Sequence, residues 1–135
     1  MIKLIIGKKG SGKTKTLIEM VNNALSTSKG SVVCIEKGDK LKFDINYKCR
    51  LIDTEEYNVD SARSLYGFIA GILASNHDVS DLFVDSALKI CNEDRVAFEK
   101  LVLAVDELCS KMNVNVVMTS SLPVEEASDT IKKYL

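Results

Sequence analysis

Ile2-Lys3-Leu4-Ile5-Ile6-Gly7-Lys8-Lys9-Gly10-Ser11-Gly12-Lys13-Thr14 is the stretch on which the fold turns. Residues 2–6 are rich in β-branched side chains and are stopped by glycine, which predicts a buried strand. Beyond the stretch, Leu17, Ile18, Val21, Ala24 and Leu25 recur at helical spacing until residues 26–30 break the pattern, so a helix follows directly. Between strand and helix, residues 7–14 match G-x-x-x-x-G-K-[ST] in full. Glycines let successive N–H groups turn inward into a concave nest for phosphate oxygens, and the helix that follows adds its positive end. Gly7, Lys8, Lys9, Gly10, Ser11, Gly12, Lys13, Thr14 and Lys15 are therefore the candidate phosphate-binding residues. Lys13 is expected to reach the β- and γ-phosphates of a nucleotide, and Thr14 to offer its hydroxyl to Mg²⁺.

A magnesium nucleotide also needs a carboxylate for the metal, normally at the end of a buried strand. Asp85, after Leu82-Phe83-Val84, has that character, and Asp53, after Leu51-Ile52, competes with it. The rest of the chain continues to alternate strands with helices. Residues 32–35 form a second apolar run that ends at Glu36. Leu41, Phe43 and Ile45 alternate with charged residues ahead of residues 49–52, which reads as a hairpin or as an edge strand plus a core strand. Asp60 or Ser61 can cap a helix with the stripe Leu65, Phe68, Ile69, Ile72 and Leu73, whose Gly67 and Gly71 are expected to allow close approach to the sheet. A long helix is expected from Asn92 through Val96, Phe98, Leu101, Val102, Val105, Leu108, Cys109 and Met112. Residues 114–118 supply a last strand, and Pro123 opens a short closing helix with Val124, Ala127 and Ile131 inward. This alternation predicts a three-layer α/β/α fold with a mainly parallel sheet, formed by residues 1–135 as one domain.

Composition narrows the function. The 135 residues are 46% hydrophobic and 27% charged, which suits a single core and excludes collagen-like or low-complexity classes. Apolar runs of four or five residues are too short to span a bilayer, so no membrane association is expected and a cytoplasmic location is. The four cysteines, Cys34, Cys49, Cys91 and Cys109, form no C-x-x-C pair and read as reduced, buried hydrophobes. His77 is the sole histidine, which removes Ser-His-Asp and Cys-His nucleophile pairs and multi-histidine metal sites. Residues 1–50 carry 11 Lys/Arg against 4 Asp/Glu, and residues 51–135 carry 7 against 15, which sums to the net charge of −1. Part of the basic excess lies inside the glycine-rich motif, which favours a compact anionic ligand and gives nucleic acid no support.

At these residues the chain resembles the P-loop nucleoside triphosphatases, and among them the RecA-like ATPase branch. GKKGSGKT is similar to a Walker A, SDLFVDS at residues 80–86 to a Walker B, and VVMTSS at residues 116–121 to the branch's later strand with a polar tip. The resemblance implies a nucleoside triphosphate, ATP with Mg²⁺, held by residues 7–15 together with Thr119 and Ser120, the metal lying between Thr14 and Asp85. The whole also resembles small single-domain bacterial proteins labelled as twitching-motility-type ATPases. Two departures bear on catalysis. Asp85 is followed by Ser86 where many relatives carry glutamate, and the strand-end Glu36 resembles the RecA-like catalytic glutamate, with Glu55 and Glu56 as alternatives. None of Arg50, Arg63 and Arg95 lies in a finger motif, so hydrolysis is expected to be weak or stimulated by a protein partner or a second copy. A non-hydrolysing, nucleotide-dependent binding module and a small-molecule or nucleotide kinase are the alternatives. The absence of N-K-x-D favours adenine over guanine.

Overall fold

A computed structural model describes residues 1–135. Five strands, β1 (Ile2–Gly7), β2 (Ser31–Glu36), β3 (Arg50–Asp53), β4 (Val79–Val84) and β5 (Asn115–Ser121), form one sheet in the order β1-β5-β4-β2-β3. Every strand pair is parallel, and a single antiparallel bridge joins Gly7 to Leu122. The fold is the expected three-layer α/β/α arrangement. Because side chains alternate across a strand, the apolar runs feed two cores at once. Val33, Ile35, Leu82, Val84, Val116 and Met118 join the larger one, packed beneath α2 (Ala62–Ser75) and α4 (Arg95–Met112). Val32, Cys34, Phe83 and Val117 join the smaller one, covered by Leu17, Val21 and Ala24 of α1 (Lys13–Thr27).

Ser61, not Asp60, caps α2: its hydroxyl accepts the Ser64 N–H while Ser64 Oγ accepts the Ser61 N–H, a reciprocal pair that satisfies two terminal donors. The four cysteines are buried and free, and no helix is long and apolar enough to cross a membrane.

Four expectations require correction. Residues 37–49 form neither a hairpin nor an additional strand. The two oxygens of Glu36 accept the N–H groups of Lys40 and Leu41, which removes those donors from any ladder, and the Ile45 N–H then turns back to the Leu41 carbonyl. Leu41 and Ile45 point inward from this turn, and Phe43 is 89% exposed. Gly67 and Gly71 lie on the exposed side of α2, where an added Cβ would meet nothing. Close approach occurs instead at Gly30, where a Cβ would collide with the Asp78 carbonyl and lie 2.8 Å from Ser80 Cβ. The long helix begins at Arg95, capped by Asp94, because Asn92 and Glu93 adopt left-handed backbone angles that separate it from the short α3 (Ala87–Ile90); Val96 then faces solvent. The closing segment divides into a 3-10 turn at Val124–Glu126 and α5 (Asp129–Lys132), with Ala127 and Ile131 buried and Val124 exposed.

Candidate functional site

The loop after β1 runs into α1 through Gly10 and Gly12, at φ +82° and +87°, left-handed values that favour glycine. No side chain caps α1 and no acidic residue occupies its first turn. The N–H groups of Lys13, Thr14 and Lys15 find no acceptor in the chain, and the first helical bond runs from Thr16 N–H to the Gly12 carbonyl. Three free donors therefore stand at a positive helix end, the arrangement that binds phosphate oxygens. Lys13 Nζ folds back over the loop, donating to the Lys8 carbonyl at 2.8 Å and to Ser11 Oγ at 3.4 Å. Lys8 and Ser11 thus hold the lysine, whereas Lys9, Gly10, Gly12, Lys13, Thr14 and Lys15 line the cleft.

At the carboxyl end of β4, Asp85 receives the Thr14 hydroxyl at 3.2 Å and the Thr119 hydroxyl at 2.7 Å on Oδ1. Its own N–H donates to the Ile35 carbonyl at 2.8 Å, which fixes it to the end of β2. Thr119 also accepts the Ser86 N–H at 2.8 Å, holding Ser86 at φ +56°. β4 is not the neighbour of β1: β5 lies between them, and Thr119 comes from β5. Ser120 turns away from the cleft: its buried hydroxyl donates to the Thr119 carbonyl and accepts the Leu88 N–H at the start of α3. Its neighbour Ser121 lines the cleft instead. Asp53 is occupied elsewhere, accepting the N–H groups of Gly38 and Glu55.

Glu36 is buried at the end of β2, 3% exposed, with its oxygens engaged by the Lys40 and Leu41 N–H groups at 3.0 and 3.2 Å. Burial pushes its carboxyl up; those two N–H groups oppose the rise, and the nearby charges of Asp85 and Asp53 add to it. It does not line the cleft.

The cleft holds about 610 Å³ and is strongly cationic: Lys9, Lys13, Lys15, Lys40 and Lys89 face two carboxylates, Asp85 and Glu93. Lys40, Lys89 and Glu93 carried no motif in the sequence; they reach the cleft because the turn after β2 and the end of α3 overhang it. No three His, Cys, Asp or Glu side chains gather anywhere to hold a metal unaided. The Thr14 hydroxyl and Asp85 are nevertheless the sparse oxygen donor set that suits Mg²⁺ shared with phosphates.

The result is a three-layer α/β/α fold whose parallel sheet carries a phosphate-type loop at one edge and a strand-end aspartate two strands away. It is similar to the crystal structure of a KaiC-like protein from the hyperthermophilic archaeon Pyrococcus horikoshii, with a TM-score of 0.70 and 15% identity over 98% of this chain. The chain spans 66% of that protein's length. The likeness agrees with the RecA-like resemblance and lends nothing to the twitching-motility label. No protein-family model and no curated protein matches the chain.

Proposed function

We propose that the chain binds Mg-ATP in this cleft and hydrolyses it weakly, or only when a partner stimulates it. The observation that carries this is the pairing of unsatisfied N–H groups at the start of α1 with a Thr14 hydroxyl held against Asp85. In this reading residues 7–13 receive the phosphates, Lys13 swings from the Lys8 carbonyl to phosphate oxygens, and Thr14 and Asp85 would hold Mg²⁺, which would supply charge neutralisation. Thr119 orients Asp85, and Ser120 braces α3 behind it.

Weak turnover follows from what surrounds the site. Ser86 follows Asp85, and both oxygens of Glu36 are committed to backbone N–H groups, so neither position offers a free carboxylate to a water. Those same facts favour the second reading, a module that binds the nucleotide and changes surface without hydrolysing it. Calorimetry with ATP, GTP and ADP, with and without Mg²⁺, followed by phosphate release, separates the two. Release that rises more than proportionally with protein concentration would mark a second copy as the stimulating partner. Binding of none of the three nucleotides would remove both readings.

A further inference from the structure

We infer that Lys40 supplies, from within the same chain, the cation that contacts the terminal phosphate, and that Glu36 is the positioning residue that holds Lys40 there. The inference rests on the nucleotide-binding proposal above and assigns the part that no arginine in the sequence fills. The order of the sheet sets the distances. Thr14 bonds to Asp85, so the start of α1 lies over the end of β4. β2 is the next strand, about 4.8 Å away by ordinary sheet spacing. Asp85 is tied to it directly, N–H to the Ile35 carbonyl. The turn that begins at Glu36 therefore leaves the sheet one strand from the proposed metal position, on the side opposite β5. A phosphate extending past Thr14 and Asp85 in that direction next meets this turn.

The turn is fixed rather than free. Glu36 accepts the N–H groups of Lys40 and Leu41, Asp53 accepts the Gly38 N–H at 2.8 Å, and Leu41 is buried in the smaller core. The backbone of Lys40 is thus held on both sides, and the residue lines the cleft. The lysine is also uncommitted. Asp39, its neighbour in the chain, pairs with Lys42 at 3.5 Å, and Lys40 makes no ion pair. An unpaired ammonium on an anchored backbone, facing a cationic cleft, gains its partner when a triphosphate enters. A diphosphate, one phosphate shorter, leaves it without one.

Lys40→Ala, Lys40→Arg and Glu36→Ala are compared with the unsubstituted protein by calorimetry against Mg-ADP and against the Mg complex of the β,γ-imido analogue of ATP, with circular dichroism to confirm the fold. For Lys40→Ala the ADP affinity stays within about twofold while the triphosphate analogue weakens about ten- to hundredfold, the range for one hydrogen-bonded charge. Lys40→Arg recovers most of the loss. Glu36→Ala reproduces the selective triphosphate loss, which a purely structural role for Glu36 would not produce. Should Glu36→Ala fail to fold, Lys40→Ala alone decides. Equal weakening of both nucleotides, or of neither, by Lys40→Ala overturns the inference while leaving the nucleotide site standing. Failure of the unsubstituted protein to bind either nucleotide removes that site, and the inference with it.

Discussion

The Thr14 hydroxyl lies 3.2 Å from Asp85 Oδ1 across 71 residues of chain. Neither residue needs the other for stability: both are at the surface of the cleft, and a bond between partly solvated groups contributes on the order of 1 kcal/mol. What the contact records is alignment, the first turn of α1 and the end of β4 converging on one point.

That convergence sets the first expectation. Lys13→Ala should weaken Mg-ATP binding at least about hundredfold, since it removes a charged donor facing the phosphates. The far-ultraviolet circular dichroism and melting temperature should hardly change, because Lys13 belongs to neither hydrophobic core. Wild-type affinity in the variant would dismiss the phosphate loop.

Thr14→Ala should act on the metal. Its affinity for ATP falls about tenfold in the presence of Mg²⁺ and much less in EDTA. Equal losses under both conditions would mean that the hydroxyl contacts phosphate rather than metal.

Thr119→Val keeps the shape of the side chain and deletes its hydroxyl. The Ser86 N–H loses its acceptor and Asp85 its orienting donor. Urea denaturation should show a loss of about 1–3 kcal/mol, the cost of leaving one part-buried donor unpaired. Thr119→Ser should restore most of it, and a neutral Thr119→Val would show that this network is dispensable.

Glycine substitutions should separate packing from propensity. Gly30→Ala forces a Cβ against the Asp78 carbonyl and Ser80. It should cost about 2–4 kcal/mol, as overpacking against backbone does. Gly67→Ala and Gly71→Ala add a methyl group to open helix surface and should each stabilise by about 0.5–1 kcal/mol. The comparison is read from three urea midpoints.

Burial pushes the Cys91 thiol up to about 12 and those of Cys49 and Cys109 up to about 11, from a usual 9.0. Above pH 9 the folded chain therefore binds more protons than the unfolded one, and stability falls as pH rises. The melting temperature should decline from pH 9 towards 11, and Cys91→Ala should shorten that decline even if it melts lower at neutral pH. Iodoacetamide at pH 8 should label none of the four thiols without denaturant and all four with it.

The sequence made the strand, glycine turn and first helix legible because their signals are local: periodicity on either side of an eight-residue motif. Asp85 was legible for the same reason, as a charge ending an apolar run. Residues 37–49 were not, because Leu41, Phe43 and Ile45 keep a strand's alternation while a single carboxylate, Glu36, takes the N–H groups a strand would have used. Val96 faces solvent rather than the core because its helix starts only after two left-handed residues, Asn92 and Glu93, that no apolar pattern reveals. Ser120 and Thr119 are adjacent in sequence, and only the pleat decides which one meets Asp85 and which one meets α3. The cationic wall formed by Lys40 and Lys89 depends on strand order, which hydrophobic runs do not encode.

Strand order also governs how the molecule comes into being. β1 pairs with no strand except β5, and β5 is the last of the five strands of this sheet to be synthesised. A nascent chain ending at residue 114 would hold the whole glycine motif and Asp85, yet no strand would pair with β1, the sheet edge from which the motif leaves. Closing that gap pairs Ile2 with Val116, a contact spanning nearly the full chain, and such contacts are formed against a large loop entropy. The cleft is therefore a late product of folding, assembled in the step that completes the sheet, and in stopped-flow refolding its ligand binding should appear with the slowest phase.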